Sequence, residues 1–359
     1  MRRCRFVVVL LCLLTAWKVF ALDLCLPTAN DAVLRPGHDA EFFQPTVEGT
    51  TESGMFGCVR RDGARFHEGV DIKCLQRDRR GEPLDPVHAV ADGEVAFINT
   101  NPGLSNYGRY IVLRHRWNGV EAYTLYGHLS EVADGLVVDQ PVSKSQVIAR
   151  MGHSTNTREG ISRDRAHLHF EFDLLLNPNF HIWYPKHDPK APPFGNYNGL
   201  NLFGMDPIPL FRAAAAADPK SSAAQSTTNG ARSAINFADF VAQQPIAFAV
   251  LVGARSFPWL TMHPEQVQPM AGKPGPVVAY EVGATSWGLP VCVWPRTAEE
   301  ITDVQRRILQ RGLPVLAHVN ETTLGNGNCC GMVRHRTRGH GWELGDKGRE
   351  WVEMLTYAP

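Results

Sequence analysis

The segment AHLHFEF, residues 166–172, alternates polar and apolar side chains, a pattern typical of a β-strand with one buried face. Residues two apart in a strand project from the same face, so His167, His169 and Glu171 share one side. The leucine and phenylalanine between them point the other way and are predicted to enter a core. The two imidazoles would lie about 6–7 Å apart, close enough to serve one metal centre. By itself, such a pair more often consists of polar residues on a solvated strand face.

Short strands separated by turns surround this segment, from Gly54 to about Asp173. The run HAVADGEVAFI reads as two strands joined at an Asp-Gly turn. The runs YGRYIVLRH and GVEAYTLYGHL read as a hairpin joined through RWNG. No amphipathic helix pattern interrupts the block, so the sequence predicts an antiparallel β domain.

Two further motifs of this block carry histidine. FHEGVD places His67 and Asp71 four residues apart, and LYGHLS places His128 at the end of a strand. Imidazole and carboxylate are usual zinc ligands, and a catalytic zinc takes three protein ligands and leaves one place for water. The helical zinc motif H-E-x-x-H is absent, and a glycine in a β context argues against a helix. Glu68 is therefore interpreted as a solvated residue beside the site, not as a general base.

Together, the motifs FHEGVDI, PVHAVADGEVAFI, NYGRYIVLRH, YGHLS and HLHFEF resemble, in order and spacing, those of the LytM/lysostaphin-type zinc metallopeptidases of family M23. The resemblance covers about residues 54–173. It implies a LytM-like β-sandwich, Zn²⁺ as the cofactor and peptidoglycan peptides as the substrate. It also implies that His67, Asp71 and His169 bind the zinc ion.

The same resemblance makes His128 and His167 the two catalytic histidines that are not ligands. A neutral histidine can take a proton from water, and a donor histidine can stabilise a developing oxyanion. We expect His167 to be the base and His128 the oxyanion stabiliser, with shared or exchanged roles as the alternative. Asn106 and Arg109 of NYGRY are candidate substrate-binding residues, although a merely solvated side chain is the favoured interpretation of Arg109.

Cysteine usage indicates disulfides. Eight cysteines fall to six once the N-terminal segment is removed, and an even number in an exported chain favours pairing. The six are Cys25, Cys58, Cys74, Cys292, Cys329 and Cys330. Cys58 and Cys74 bracket FHEGVD, and a bridge between them would fix the segment that carries two predicted ligands. One of the adjacent Cys329 and Cys330 is expected to pair with Cys292, and the remaining pairings stay open.

The N-terminus has the layout of a secretory signal peptide. MRRCR is basic, FVVVLLCLLTAW is apolar, and cleavage is expected after Ala21. The apolar run is short for a bilayer span, with an uncleaved anchor as the alternative. We therefore expect a periplasmic or secreted protein without a membrane span after cleavage. No basic run or interleaved aromatic patch indicates nucleic-acid binding.

The chain is predicted to contain two domains. The divisions are a signal peptide, an N-terminal segment, the β peptidase domain with a Pro- and aromatic-rich wrapping segment, a linker and a smaller α/β domain: 1–21, 22–53, 54–212, 213–232 and 233–359. In the last division, TAEEITDVQRRILQRG predicts a helix with Thr297 as its N-cap and Gly312 past its end.

These features predict a zinc endopeptidase that cuts peptide bonds in peptidoglycan stem peptides or cross-links. The alternative is a non-catalytic LytM-like envelope factor that binds peptidoglycan or activates another hydrolase, although such relatives typically lack some of the site residues present here. A third hypothesis places the function in residues 233–359, where no motif indicates a chemistry. The loop GHSTNTREGISRDRA is longer and more charged than the family's compact turn, so the bond that is cut stays open.

Overall fold

The computed structural model describes residues 22–190, 192–218, 236–270, 272, 275–337 and 339–359. The predicted signal peptide and most of the predicted linker lie outside these ranges. None of the helices in the described part of the chain has the length and hydrophobicity that a bilayer crossing requires.

Strands dominate the first half of the described chain, and helices and strands mix in the second. The strands are β1 Gly57–Arg60, β2 Arg65–His67, β3 Val70–Lys73, β4 Pro86–His88, β5 Gly93–Asn99, β6 Arg109–Trp117, β7 Val120–Leu129, β8 Glu131–Val132, β9 Pro141–Val142, β10 Val147–Arg150, β11 His167–Leu175, β12 Leu202–Met205, β13 Phe248–Gly253, β14 Ala279–Ala284, β15 Pro290–Arg296, β16 Val315–Val319, β17 Val333–His335 and β18 Trp342–Leu344. The α-helices are α1 Asp39–Phe42, α2 Phe180–His187, α3 Ile208–Ala217, α4 Phe237–Ala242, α5 Pro258–Met262, α6 Asp303–Gln310, α7 Glu321–Leu324 and α8 Asp346–Thr356. Short 3₁₀ turns lie at Ala32–Leu34, Thr51–Gly54, Pro102–Leu104, Arg163–Arg165, Pro264–Gln266 and Gly325–Cys330.

A seven-stranded sheet forms the centre of the molecule, with the order β12-β11-β7-β6-β5-β9 and β3 paired to β11. Every pairing within it is antiparallel, which confirms the predicted antiparallel β fold. β11 is an interior strand: β7 runs along one edge, while β3 and β12 share the other. Leu168 and Phe170 are fully buried in the main core, as the alternation predicted.

The wrapping segment after β11 covers part of the other face of this sheet. Phe194 and Leu202 pack there with Tyr110, Leu125 and Leu175 in a second apolar cluster. The segment also supplies β12 to the sheet. It is therefore ordered structure, and it forms one border of the groove described below.

Two boundaries differ from the prediction. The alanines at 213–217, expected to begin the linker, complete α3 instead, because alanine is the strongest helix former. Helix α6 begins at Asp303 with Thr302 as its N-cap, not Thr297. The reason is a capping box: Thr302 Oγ1 accepts from the Gln305 N–H, and Gln305 Oε1 accepts from the Thr302 N–H.

The residues after 236 build a four-stranded antiparallel sheet, β15-β14-β13-β16, with helices against it. They are joined to the β1–β2 ribbon by a disulfide between Cys58 and Cys329, 271 residues apart in sequence. The predicted Cys58–Cys74 bridge is therefore wrong. The Cys74 thiol instead donates to Asp85 Oδ2 at 3.0 Å. The expected pairing of Cys292 with Cys329 or Cys330 is also wrong, because Cys292 and Cys330 are free thiols.

Candidate metal centre

Three strands bring the predicted ligands together. Asp71 on β3 stands directly opposite His169 on β11, so the ladder itself sets their spacing. His67 comes from β2, which belongs to the two-stranded ribbon with β1 and not to the main sheet. All three side chains are almost completely buried. The four-residue spacing of FHEGVD thus spans two strands.

The facing atoms of these residues form a nearly equilateral triangle. His67 Nε2 lies 3.2 Å from Asp71 Oδ1 and 3.1 Å from His169 Nδ1, and His169 Nδ1 lies 3.0 Å from Asp71 Oδ1. A tetrahedral zinc ion with ligands at 2.0–2.1 Å separates its ligands by about 3.4 Å. A small outward movement of the three side chains would therefore admit the ion.

The outer nitrogen of each ligand histidine is held by an acceptor. His67 Nδ1–H donates to the Met55 carbonyl oxygen at 2.7 Å, and His169 Nε2–H donates to Glu171 Oε1 at 2.6 Å. These bonds fix the rings so that both inner nitrogens point at the Asp71 carboxylate. Metal-ligating histidines usually donate their second N–H in this way. Three acceptor atoms this close repel one another unless a proton or a cation lies among them, so the donor set fits zinc.

The charge states agree with that requirement. Burial lowers the pKa of His67 to about 4, so its ring is neutral near pH 7. Burial would raise the pKa of Asp71, but its interactions with His67, His167 and Arg60 hold it well below its ordinary value. Burial would also lower the pKa of His169, but hydrogen bonds to Asp71 and Glu171 raise it to about 9. His169 therefore holds a proton inside the triangle, which a metal ion would displace.

Two residues that sequence reasoning did not assign to the site support it. Arg60 Nη2 donates to Asp71 Oδ2 at 2.5 Å, which leaves Oδ1 for the triangle. Glu171 is fully buried behind His169. The spacing of HLHFE placed Glu171 on the ligand face, whereas nothing in the sequence pointed to Arg60. Glu68, expected to be solvated, is half-buried in the groove, and burial with the nearby Glu171 charge raises its pKa.

The two predicted catalytic histidines lie beside the triangle. Their rings are 4.8 Å apart, and His167 Nε2 is 3.5 Å from Asp71 Oδ1. His128 Nδ1–H donates to the Ser154 carbonyl oxygen at 2.9 Å, and His167 Nδ1–H donates to that of Arg165 at 2.7 Å. In a neutral His128 ring, Nε2 is therefore free of a proton. Burial and the charge of His167 hold the pKa of His128 well below its ordinary value.

His128 adopts a left-handed backbone conformation, with φ of +59°. That conformation is unfavourable for a residue with a side chain and occurs at functional sites where the surrounding structure imposes it. In this conformation the His128 N–H donates to the Tyr107 carbonyl oxygen at 2.7 Å. The backbone strain thus coincides with the placement of a predicted catalytic side chain.

A groove of about 590 Å³ opens over the centre, and Asp71, His128, His167 and His169 are part of its lining. Asn106 also lines it, as expected for a candidate substrate-binding residue. Arg109 is not brought to the groove: its Nε–H donates to the Thr100 carbonyl oxygen at 3.2 Å. Its backbone N–H donates to Ser154 Oγ, so the residue supports the loop that holds His128.

Residues 65–178 match the sequence model of peptidase family M23, which confirms the resemblance seen in the motifs. No curated protein matches the chain. Among solved structures, a zinc-containing peptidase from Vibrio cholerae is 26% identical over 30% of this chain and 26% of its own, with a TM-score of 0.22.

Two more solved structures are similar to parts of the chain. Csd3 from Helicobacter pylori is 28% identical over 30% of this chain and 23% of its own, with a TM-score of 0.22. The catalytic domain of lysostaphin from Staphylococcus simulans is 20% identical over 44% of this chain and 87% of its own, with a TM-score of 0.27. The chain thus spans about a quarter of the Vibrio and Helicobacter proteins.

Proposed function

We propose that this protein is a zinc-dependent endopeptidase that hydrolyses peptide bonds in the stem peptides or cross-links of peptidoglycan outside the cytoplasm. The observation that carries the proposal is the convergence of His67 Nε2, Asp71 Oδ1 and His169 Nδ1, all 3.0–3.2 Å apart, beside an open groove that Asp71 and His169 line. The match of this segment to family M23 supports the reaction class.

His67, Asp71 and His169 would hold the ion. Bound zinc polarises a peptide carbonyl and lowers the pKa of water towards neutrality. The protein's own contribution begins with burial, which excludes bulk water from the ligand side chains and strengthens their electrostatic interactions. Arg60 and Glu171 orient two of the three ligands.

The remaining step is proton transfer, for which His128 presents an unprotonated Nε2 and His167 directs its Nε2 towards Asp71 Oδ1, 3.5 Å away. The low pKa of His128 keeps its ring neutral near pH 7, which suits an acceptor and opposes a donor. This favours the exchanged arrangement, with His128 as the base and His167 as its partner at the oxyanion. Both side chains line the groove where a peptide would lie.

The proposal is tested with purified, zinc-loaded protein and isolated cell-wall sacculi. The wild type should release soluble peptides, and His128→Ala should reduce turnover by roughly 10²–10⁴-fold while zinc content is unchanged. His318→Ala, an exposed histidine of the C-terminal sheet, is the matched control and should keep full activity. If the zinc-loaded wild type binds sacculi but releases no peptide, the protein is a non-catalytic envelope factor and the proposal is wrong.

A further inference from the structure

Four arginines line the groove close to the centre: Arg60, Arg61, Arg65 and Arg165. We call them the arginine wall. Three come from the tip of the β1–β2 ribbon, where Arg60 and Arg65 stand directly opposite each other. The fourth comes from the turn just before His167. Like charges directly opposite each other in a strand pair are destabilising, so an anion at this place would relieve a repulsion built into the ribbon.

Only one guanidinium of the arginine wall is occupied by a carboxylate within the described part of the chain. Arg60 contacts Asp71, as described above. Arg165 Nε–H donates only to the neutral hydroxyl of Ser162, and the guanidinium groups of Arg61 and Arg65 have no hydrogen-bond partner among the described residues. Arg61, Arg65 and Arg165 therefore line the groove with guanidinium N–H groups that no carboxylate of the described residues accepts.

The acidic residues of the groove leave these donors free. Glu48, Glu68 and Glu159 also line it, yet none forms an ion pair with the wall within the described residues. Glu48 accepts a hydrogen bond from the backbone N–H of Arg61, not from its guanidinium. Glu68 lies deeper, where its pKa is raised by burial. The exposed cations of the wall are therefore available to a ligand.

Another part of the lining is apolar. Leu104 is 40% exposed and Leu200 is 50% exposed, and both line the groove, as does Tyr107. The ring centroids of Tyr107 and His169 are 5.3 Å apart, so the apolar part of the lining meets the metal centre at His169. The arginine wall meets the centre at a different ligand, Asp71, which Arg60 contacts. A ligand that satisfies both parts carries an anionic group near an apolar one.

We propose that the groove recognises a peptide with a free carboxylate beside the bond to be cut, and that Arg61, Arg65 and Arg165 bind this carboxylate. The planar guanidinium fork matches a carboxylate in geometry as well as charge. Uncharged peptides, oligoglycine among them, lack the group that the wall binds. The inference rests on the proposed function for the scissile bond, but the binding preference can be measured separately.

The test compares one cross-linked stem-peptide dimer that keeps its free carboxylates with the same dimer after conversion of those carboxylates to amides. Both binding affinity and kcat/KM are measured with the full zinc-loaded chain. The carboxylate form should bind and react roughly 10–100-fold better, the range expected for losing hydrogen bonds to a charged group. Arg65→Gln and Arg61→Gln should each reduce this preference, mainly through KM, and Arg65→Lys should restore part of it.

Arg255→Gln, at an exposed arginine of the C-terminal unit, is the matched control and should leave the preference unchanged. Equal binding and equal hydrolysis of the two dimers would overturn the inference and leave the proposed function intact. Preferential binding of the carboxylate form without hydrolysis of either would support the inference and refute the proposed enzyme. A preference that survives Arg61→Gln, Arg65→Gln and Arg165→Gln together would show that the wall is not its source.

Discussion

The two halves of the proposed metal centre are held in very different ways. Asp71 and His169 stand on neighbouring strands inside a seven-stranded sheet, where ladders on both sides of β11 fix them. His67 stands on a two-stranded ribbon, a unit that is marginally stable by itself. We call these the sheet half and the ribbon half. The strand pairings of the central sheet position the sheet half, whereas the ribbon half needs support from outside the ribbon.

The support of the ribbon comes from the C-terminal part of the chain. Cys58 on β1 is bonded to Cys329, and Trp287 packs on the ribbon with ring centroids 5.5 Å from Phe66 and 5.3 Å from Phe56. The Trp287 indole N–H also donates to the Gly204 carbonyl oxygen of β12, at 2.9 Å. The residues after 236, in which no motif indicates a chemistry, thus hold a neighbour of a proposed zinc ligand in place.

Removing the disulfide should have the largest effect on stability. Cys58→Ser frees a loop of 271 residues, and loss of a native disulfide typically lowers the free energy of unfolding by about 2–5 kcal/mol. Urea denaturation measures this loss, and a zinc titration should show weaker binding because the ribbon half loosens. Cys292→Ser, a half-buried free thiol elsewhere in the C-terminal sheet, is the control. Unchanged zinc affinity in Cys58→Ser would show that the disulfide does not position His67.

The sheet half can be probed by pH through His115, a buried histidine of β6 outside the groove. Burial lowers its pKa to about 4, so between about pH 4 and 6.5 the unfolded chain binds a proton that the native chain does not. Stability should therefore rise with pH across this window, by up to about 3 kcal/mol from this residue. His115→Gln should flatten this part of the urea-midpoint profile. An identical pH dependence in both proteins would contradict the burial argument.

Trp287→Ala should affect the ribbon half without breaking a covalent bond. Loss of a half-buried indole is expected to reduce the free energy of unfolding by about 2 kcal/mol, less than for a fully buried one. Zinc affinity should fall as well, because Phe66 precedes His67. Trp294→Ala, a half-buried indole of β15, should cost similar stability and leave zinc affinity unchanged. Equal zinc affinities in the two variants would show that the Trp287 contact does not position His67.

Glu171→Gln should have the smallest effect, and it falls on the sheet half. The amide keeps the size of the side chain but loses the charge that orients His169 through a 2.6 Å hydrogen bond. Loss of such an outer partner typically weakens metal binding roughly 10–100-fold. Isothermal titration with zinc measures the change, and Glu121→Gln, on β7 outside the groove, is the control. Unaltered affinity would mean that the ladder alone orients His169.

The sequence predicts the sheet half well because its signals are local. The alternation in AHLHFEF placed Leu168 and Phe170 in the core and the histidines together, and strand pairing then brought Asp71 opposite His169. The N-cap of α6 was predicted wrongly at Thr297, although Thr302 and Gln305 have the spacing of a capping box. The correct predictions depend on residues a few positions apart, or on motifs in a known order.

The motif FHEGVD identified His67, but the contacts that hold the ribbon half were not predictable, because they join residues distant in sequence. Nothing near Cys58 distinguishes Cys329 from Cys74 as its partner, and the shorter loop was the natural choice. The contact of Arg60 with Asp71 depends on how the hairpin tip folds back over β3. Trp287 reaches the ribbon only through the packing of the C-terminal sheet.

Zinc stoichiometry of the purified chain tests the metal centre most directly. We predict one tightly bound zinc ion in the wild type and in His128→Ala, and none in His169→Ala or His67→Ala, as measured by native mass spectrometry with elemental analysis. A wild type that binds no zinc, or a His169→Ala variant that binds as much as the wild type, would contradict the assignment of these residues as ligands.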